Sequence, residues 1–170
     1  VQQVEKKQGC ALCFQANLLE DTGDTLIKSF VERFGGIDIL INNAGAVFGS
    51  KEILELDEIS WGNTFRLNTQ APFFLAQSAF RFMKDNGGGK IIGISSISAK
   101  YGGSNKTLHY GASKAALETM NVGLAKAGAP YNILVNTVRA GFIDTPLHQK
   151  LGRTNFEKRI QSIPLKRAGK

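Results

Sequence analysis

Tyr110 and Lys114 stand four residues apart in a segment, 110–127, whose apolar pattern is helical. That spacing puts a phenol and an ammonium on one helix face. An ammonium beside a phenol favours the phenolate and draws a pKa of about 10 toward neutral pH, so Tyr110 can serve as a general acid or base. Taken alone, Y-x-x-x-K is a weak motif that an exposed helix pair also produces. Its company is what gives it weight. Ser96 follows the apolar run 90–95 and precedes Tyr110 by fourteen residues. A loop through Gly102-Gly103-Ser104-Asn105 can fold its hydroxyl back beside the phenol, to donate to a substrate oxygen that gains charge during hydride addition. Asn68 adds a fourth group. Its carbonyl would ordinarily accept from the N–H four residues on, but Pro72 has none, so the carbonyl is freed in a kinked helix.

These groups need elements to hold them, and strand-like runs alternate with helical patterns along the chain. Residues 10–16 read as a strand. Leu26, Ile27, Phe30, Val31 and Phe34 follow at three- and four-residue spacing and predict an amphipathic helix ended by Gly35-Gly36. The next strand, 37–41, is apolar except for Asp38, the pattern of a strand covered on both faces. A long helix is predicted over 57–84, closed by the Gly87-Gly88-Gly89 run. Strands at 90–95 and 131–138 flank the helix 110–127, whose core face is expected at Ala115, Ala116, Met120, Leu124 and Ala127. The order βαβαβαβ predicts an α/β fold with a doubly wound parallel sheet. No repeat or linker divides it, so residues 1–170 read as one domain, expected to be incomplete on grounds of strand order. Ligands in such sheets sit beyond the carboxyl ends of the strands. There the chain reads Asn17-Leu18, Asn42-Asn43-Ala44-Gly45, Ser95-Ser96 and Arg139 to Thr145, small and polar enough for close approach to the backbone.

In this order the motifs resemble those of the short-chain dehydrogenase/reductase family, and within it the 3-oxoacyl-(acyl carrier protein) reductase-like members. Asn42-Asn43-Ala44-Gly45 matches the family's N-N-A-G, Asn68 its helix asparagine, Ser96 its strand-end serine, Tyr110 and Lys114 its Y-x-x-x-K, and Asn136 to Thr145 its N-x-v-x-P-G-x-i-x-T. The resemblance implies a Rossmann-like sheet and an NAD- or NADP-dependent interconversion of a secondary alcohol and a ketone. It casts Ser96, Tyr110, Lys114 and Asn68 as catalytic, with the Asn68 carbonyl holding a water that links to Lys114. Asn43, Ala44 and Gly45 would border the adenosine ribose, Lys114 would hold a ribose, Ile143 and Thr145 would meet the nicotinamide carboxamide, and Asn17 and Leu18 would flank the adenine. A homodimer or homotetramer acting on a small carbonyl or alcohol substrate is implied, with no metal. Relatives of the same fold work as epimerases or dehydratases, and a non-catalytic nucleotide-binding scaffold is the other alternative.

The chain also departs from the family pattern. Ala140 stands where a proline usually precedes Gly141, and the serine-to-tyrosine interval is one longer than the commonest. No T-G-x-x-x-G-x-G occurs, and Gly87-Gly88-Gly89 precedes a strand instead of following one, so the pyrophosphate loop is missing. Set against the family order 3-2-1-4-5-6-7, the first two strands and the last are expected to be absent, leaving a gap and unpaired edges.

Composition narrows the partners. The 170 residues carry a net charge of +7, and seven basic residues against Glu157 fall between Lys150 and Lys170. With only Phe156 among them, this is no aromatic-lined nucleic-acid groove, and a solvated helix face is expected. The same segment would cover the substrate cleft and favour an anionic cofactor or substrate, and the stretch between Phe142 and Phe156, with Leu147 and Leu151, reads as an apolar lid or equally as core or a dimer contact. Cys10 and Cys13, held in a strand, would lie ~10 Å apart on opposite faces and could not bridge, so they are expected as buried small apolar residues. No run approaches the ~20 apolar residues of a membrane span, no signal-peptide core precedes the first strand, and a reducing cytoplasm is the expected compartment.

Overall fold

Three parallel strands, β1 (Ile39–Asn42), β2 (Gly89–Ser96) and β3 (Ile133–Ala140), lie side by side in chain order in the computed structural model, which describes residues 1–21, 23–145 and 156–170. Parallel neighbours require long crossovers. The first runs through α3 (Glu58–Phe65), a π-helical turn (Arg66–Gln70) and α4 (Ala71–Asp85); the second runs through α5 (Ser98–Tyr101) and α6 (Leu108–Gly128). Helix α2 (Gly23–Phe34) leads into β1, while α1 (Gln2–Glu5) and α7 (Glu157–Gln161) are short terminal turns. The architecture is α/β with helices on a parallel sheet, as the alternation of apolar periods predicts.

Register decides which side of the sheet is the core. Leu40, Ile91 and Val135 are aligned across the strands, and paired residues of parallel strands share a face. Ile91 and Val135 join Ile27 of α2, Ala76, Ala79 and Met83 of α4, and Ile133 in one buried cluster. Gly23 lets α2 approach α4 so closely that a Cβ there would lie 2.4 Å from the Leu75 nitrogen. Asp24 fastens the contact, accepting from Ser78 Oγ and pairing with Arg81 at 3.2 Å.

The opposite face differs from expectation. Ile39, Ile41, Leu134 and Val138 are 53%, 58%, 52% and 52% exposed, so among the described residues nothing covers that side. The strand expected to be covered on both faces, β1, is therefore covered on one only among the described residues. The segment 10–16 forms no strand either, and Leu12, Phe14, Cys10 and Cys13 are exposed, with both thiols free. The reason is shared: a strand exists only through its ladder, and among the described residues no strand lies on the outer edge of β1 to accept one. The expectation of buried cysteines fails with the strand that was to bury them.

Smaller differences have local causes. The predicted helix over 57–84 is broken at Arg66–Gln70, where Ala71 N–H reaches back to the Arg66 carbonyl because Pro72 cannot serve as a donor in the next turn. β3 starts at Ile133 because Ala129–Tyr131 forms a 3-10 turn closed by Asn132 at φ 56°. The core side of α6 carries Gly111, Ser113, Lys114, Leu117 and Asn121, while Ala127 is exposed. Apolar periodicity put that face elsewhere because several of its members are polar and satisfied inside, as with Asn121 Nδ2, which donates to Thr137 Oγ1 at 2.8 Å. No helix of the described residues is long and apolar enough to cross a membrane.

Candidate active site

Beyond the carboxyl ends of β2 and β3, and under the loop that follows β1, lies a cavity of about 320 Å³. Asn43, Gly45, Ser96, Tyr110, Lys114, Ile143 and Thr145 all line it, drawn from positions up to a hundred residues apart in the chain. Ile94, Val47, Thr107 and Arg159 are also among its walls.

Lys114 is its most constrained member. The residue is 3% exposed, and Nζ donates to the Ile94 carbonyl at 2.8 Å and sits 5.9 Å from the Tyr110 ring centroid. Burial disfavours the ammonium and pulls its pKa down to about 8. One N–H is committed to Ile94, so the other donors can meet ligand hydroxyls. Gly45 makes the approach feasible: a Cβ there would lie 2.9 Å from Lys114 Nζ and 2.8 Å from Asn68 Oδ1. A backbone stripped of side chain beside an under-used ammonium fits a polyhydroxylated ligand such as the ribose of a dinucleotide. Asn43, Gly45, Tyr110, Lys114, Ile143 and Thr145 are the residues that would hold it.

Ser96 stands at the end of β2, and its Oγ accepts from Ser98 N–H at 3.1 Å. That bond occupies an oxygen lone pair and leaves the hydroxyl proton for an acceptor in the cavity. Ser95 beside it points the other way, donating to Glu118 Oε1 at 2.6 Å, while Arg139 Nε donates to the same oxygen at 2.9 Å. The Arg139 guanidinium, helped by Ser95, holds the Glu118 carboxyl below the usual range. This junction ties the ends of β2 and β3 to α6, and so fixes Ser96 relative to Tyr110. It was not anticipated, although Glu118 lies one helical turn after Lys114.

The loop from Asn43 to Gly49 is clamped from below. Asn68, fully buried in the π turn, accepts from Ala46 N–H at 3.1 Å and donates to Ala46 O at 2.8 Å and to Ser113 Oγ at 3.1 Å. Thr64 Oγ1 takes the Phe48 N–H at 3.2 Å, and His109 Nε2 lies 2.7 Å from the Phe48 carbonyl. Since a carbonyl can only accept, His109 carries its proton on Nε2; its buried Nδ1 has no partner. Asn68 thus shapes the site through its side chain and does not line the cavity. Ala44 is not in the lining either, and Asn17 and Leu18 sit outside it in a turn where Asn17 Oδ1 accepts from Leu19 N–H at 3.2 Å. Leu147 and Leu151 of the expected lid fall outside the described residues.

The family model described as short chain dehydrogenase matches residues 1–155. Over 145 residues the chain is 34% identical to the 3-oxoacyl-[acyl-carrier-protein] reductase of Thermotoga maritima, covering 85% of this chain and 58% of that protein. Over 166 residues it is 36% identical to the L-rhamnose 1-dehydrogenase (NAD(P)(+)) of Azotobacter vinelandii, covering 95% of this chain and 64% of that one. The chain thus spans about three fifths of these curated relatives. The solved acetoin dehydrogenase of Enterobacter cloacae superposes with a TM-score of 0.84 at 32% identity, over 99% of this chain and 66% of that one. With one model matching nine tenths of its length and a parallel sheet whose strand ends converge on Tyr110 and Lys114, the chain belongs to the short chain dehydrogenase family.

Proposed function

We propose that the complete protein interconverts a secondary alcohol and a ketone with NAD or NADP. The observation that supports this most directly is the common cavity of Ser96, Tyr110 and the buried Lys114. A nicotinamide dinucleotide supplies or takes the hydride when bound. The chain's own groups handle the oxygen and its proton. In the direction of reduction the Tyr110 phenol gives its proton to the carbonyl oxygen, and Ser96 donates a hydrogen bond to that oxygen as charge develops on it. Lys114, charged, holds the phenol's acidity up and binds ligand hydroxyls with the N–H groups not given to Ile94. Asn68 contributes by keeping the Asn43–Gly49 loop against Lys114.

The family itself and the name NAD(P)(+) carried by the rhamnose dehydrogenase support the cofactor class. A reducing cytoplasmic setting and a homodimer or homotetramer remain part of the proposal, the second read by sedimentation of the purified protein. Tyr110→Phe tests the chemistry. It keeps the ring and removes the transferable proton, and kcat for ketone reduction should fall by roughly 10²- to 10⁴-fold with dinucleotide binding retained. A variant with full activity on every carbonyl tested sinks the assignment.

A further inference from the structure

The cavity is lined by two cations and, among the described residues, by no carboxylate. Lys114 is the inner one, buried and bonded to Ile94. Arg159 is the outer one, on α7, and nothing in the proposed chemistry uses it. Its guanidinium carbon stands 5.2 Å above the centroid of the Phe142 ring. That ring belongs to a residue only 8% exposed, whose carbonyl accepts from Gly169 N–H at 2.9 Å, while Asp144 N–H donates to Gly169 O at 2.9 Å. The platform under the guanidinium is therefore fixed. Stacking engages the face of a guanidinium and leaves the N–H edge unspent. No described carboxylate lies within ion-pair distance of it, whereas Lys28, Lys51, Arg81, Lys106 and Arg139 each have one. An oriented cation without a counter-ion, at the wall of a cavity free of acidic groups, is suited to an anion brought by the ligand.

We propose that Arg159 selects substrates carrying an anionic group, a carboxylate or phosphate, which it binds while the substrate carbonyl faces Ser96 and Tyr110. This rests on the carbonyl-reductase reading above and adds the substrate class to it. The bound dinucleotide is also an anion, so the test separates the two sources. Steady-state reduction is measured on the complete protein with a panel of 2-oxo and 3-oxo acids and their methyl esters, and dinucleotide affinity by fluorescence titration. Wild type should prefer each acid to its ester. Arg159→Gln should lower the acid-to-ester ratio of kcat/KM roughly tenfold, Arg159→Lys should recover part of it, and dinucleotide affinity should stay within twofold of wild type. Because Arg159 is exposed, both variants should fold, which circular dichroism verifies. Equal losses on acid and ester, a change confined to dinucleotide affinity, or turnover of neutral ketones alone each overturn the anionic class while leaving the reductase reading standing. Undiminished turnover by Tyr110→Phe overturns the reductase reading instead.

Discussion

Lys114 lies where two demands on one ammonium conflict. Burial among β2, α6 and the Gly45 backbone pulls its pKa to about 8, yet assistance to the phenol needs it charged. The sign of the resulting pH dependence follows. Below about 8 the group is an ammonium and supports proton donation by Tyr110; above, it is neutral and does not. The kcat/KM for ketone reduction, which reports the free protein, should therefore decline as pH rises through about 8, read from rates between pH 6 and 10. A flat profile across that range contradicts the role given to Lys114. The same residue makes Gly45 hard to replace, because the nearest atoms to a new Cβ would be the ammonium and the Asn68 amide.

At the scale of elements, the site depends on a loop that has no regular structure and is held by side chains from two helices. Thr64 and Asn68 rise from the α3–π turn and His109 from the first turn of α6, one residue before Tyr110. His109→Leu removes the donor to Phe48 and leaves a carbonyl under-paired, an expected loss of about 1–3 kcal/mol of stability in urea unfolding. Dinucleotide affinity should fall with it. His109→Gln can place an amide N–H near Nε2, and recovery of both quantities identifies the hydrogen bond, not the ring volume, as the cause. The π turn has an equally local origin in Pro72. The kink expected from Pro72 takes the form of this π turn, whereas apolar periodicity by itself runs one helix through it, because a missing N–H leaves no trace in hydropathy.

At the scale of the molecule, the sheet has a packed face and one that is bare among the described residues. Ile91 is fully buried, whereas Val138 is half exposed, although both are β-branched residues of interior-looking strands. In the 170-residue chain Ile91→Ala should cost about 2–5 kcal/mol, and Val138→Ala less than about 1 kcal/mol. Urea denaturation of the two variants measures the contrast; equal costs would mean that the second face is packed as well. The charge also acquires a location. Of the basic residues near the C-terminus, Arg159 reaches the cavity wall and its exposed neighbour Lys158 does not.

The alternation of strands and crossover helices was legible in the sequence because it rests on short-range rules: a four-residue helical repeat sets Tyr110 and Lys114 on one face, and residues beyond strand ends, such as Asn43, Ser96 and Thr145, were expected at one edge of a parallel sheet and line one cavity there. Three other features depended on contacts between distant segments. Residues 10–16 have strand composition and form no strand, because pairing is a property of a neighbour. The core face of α6 runs through Ser113 and Asn121, because partners from other elements make burial of polar groups affordable. Arg159 joins a cavity built from residues far earlier in the chain, held there by its stacking on Phe142. Sequence by itself determined which groups could react and which elements carry them; only the tertiary structure decided burial, which depends on what each segment meets across space.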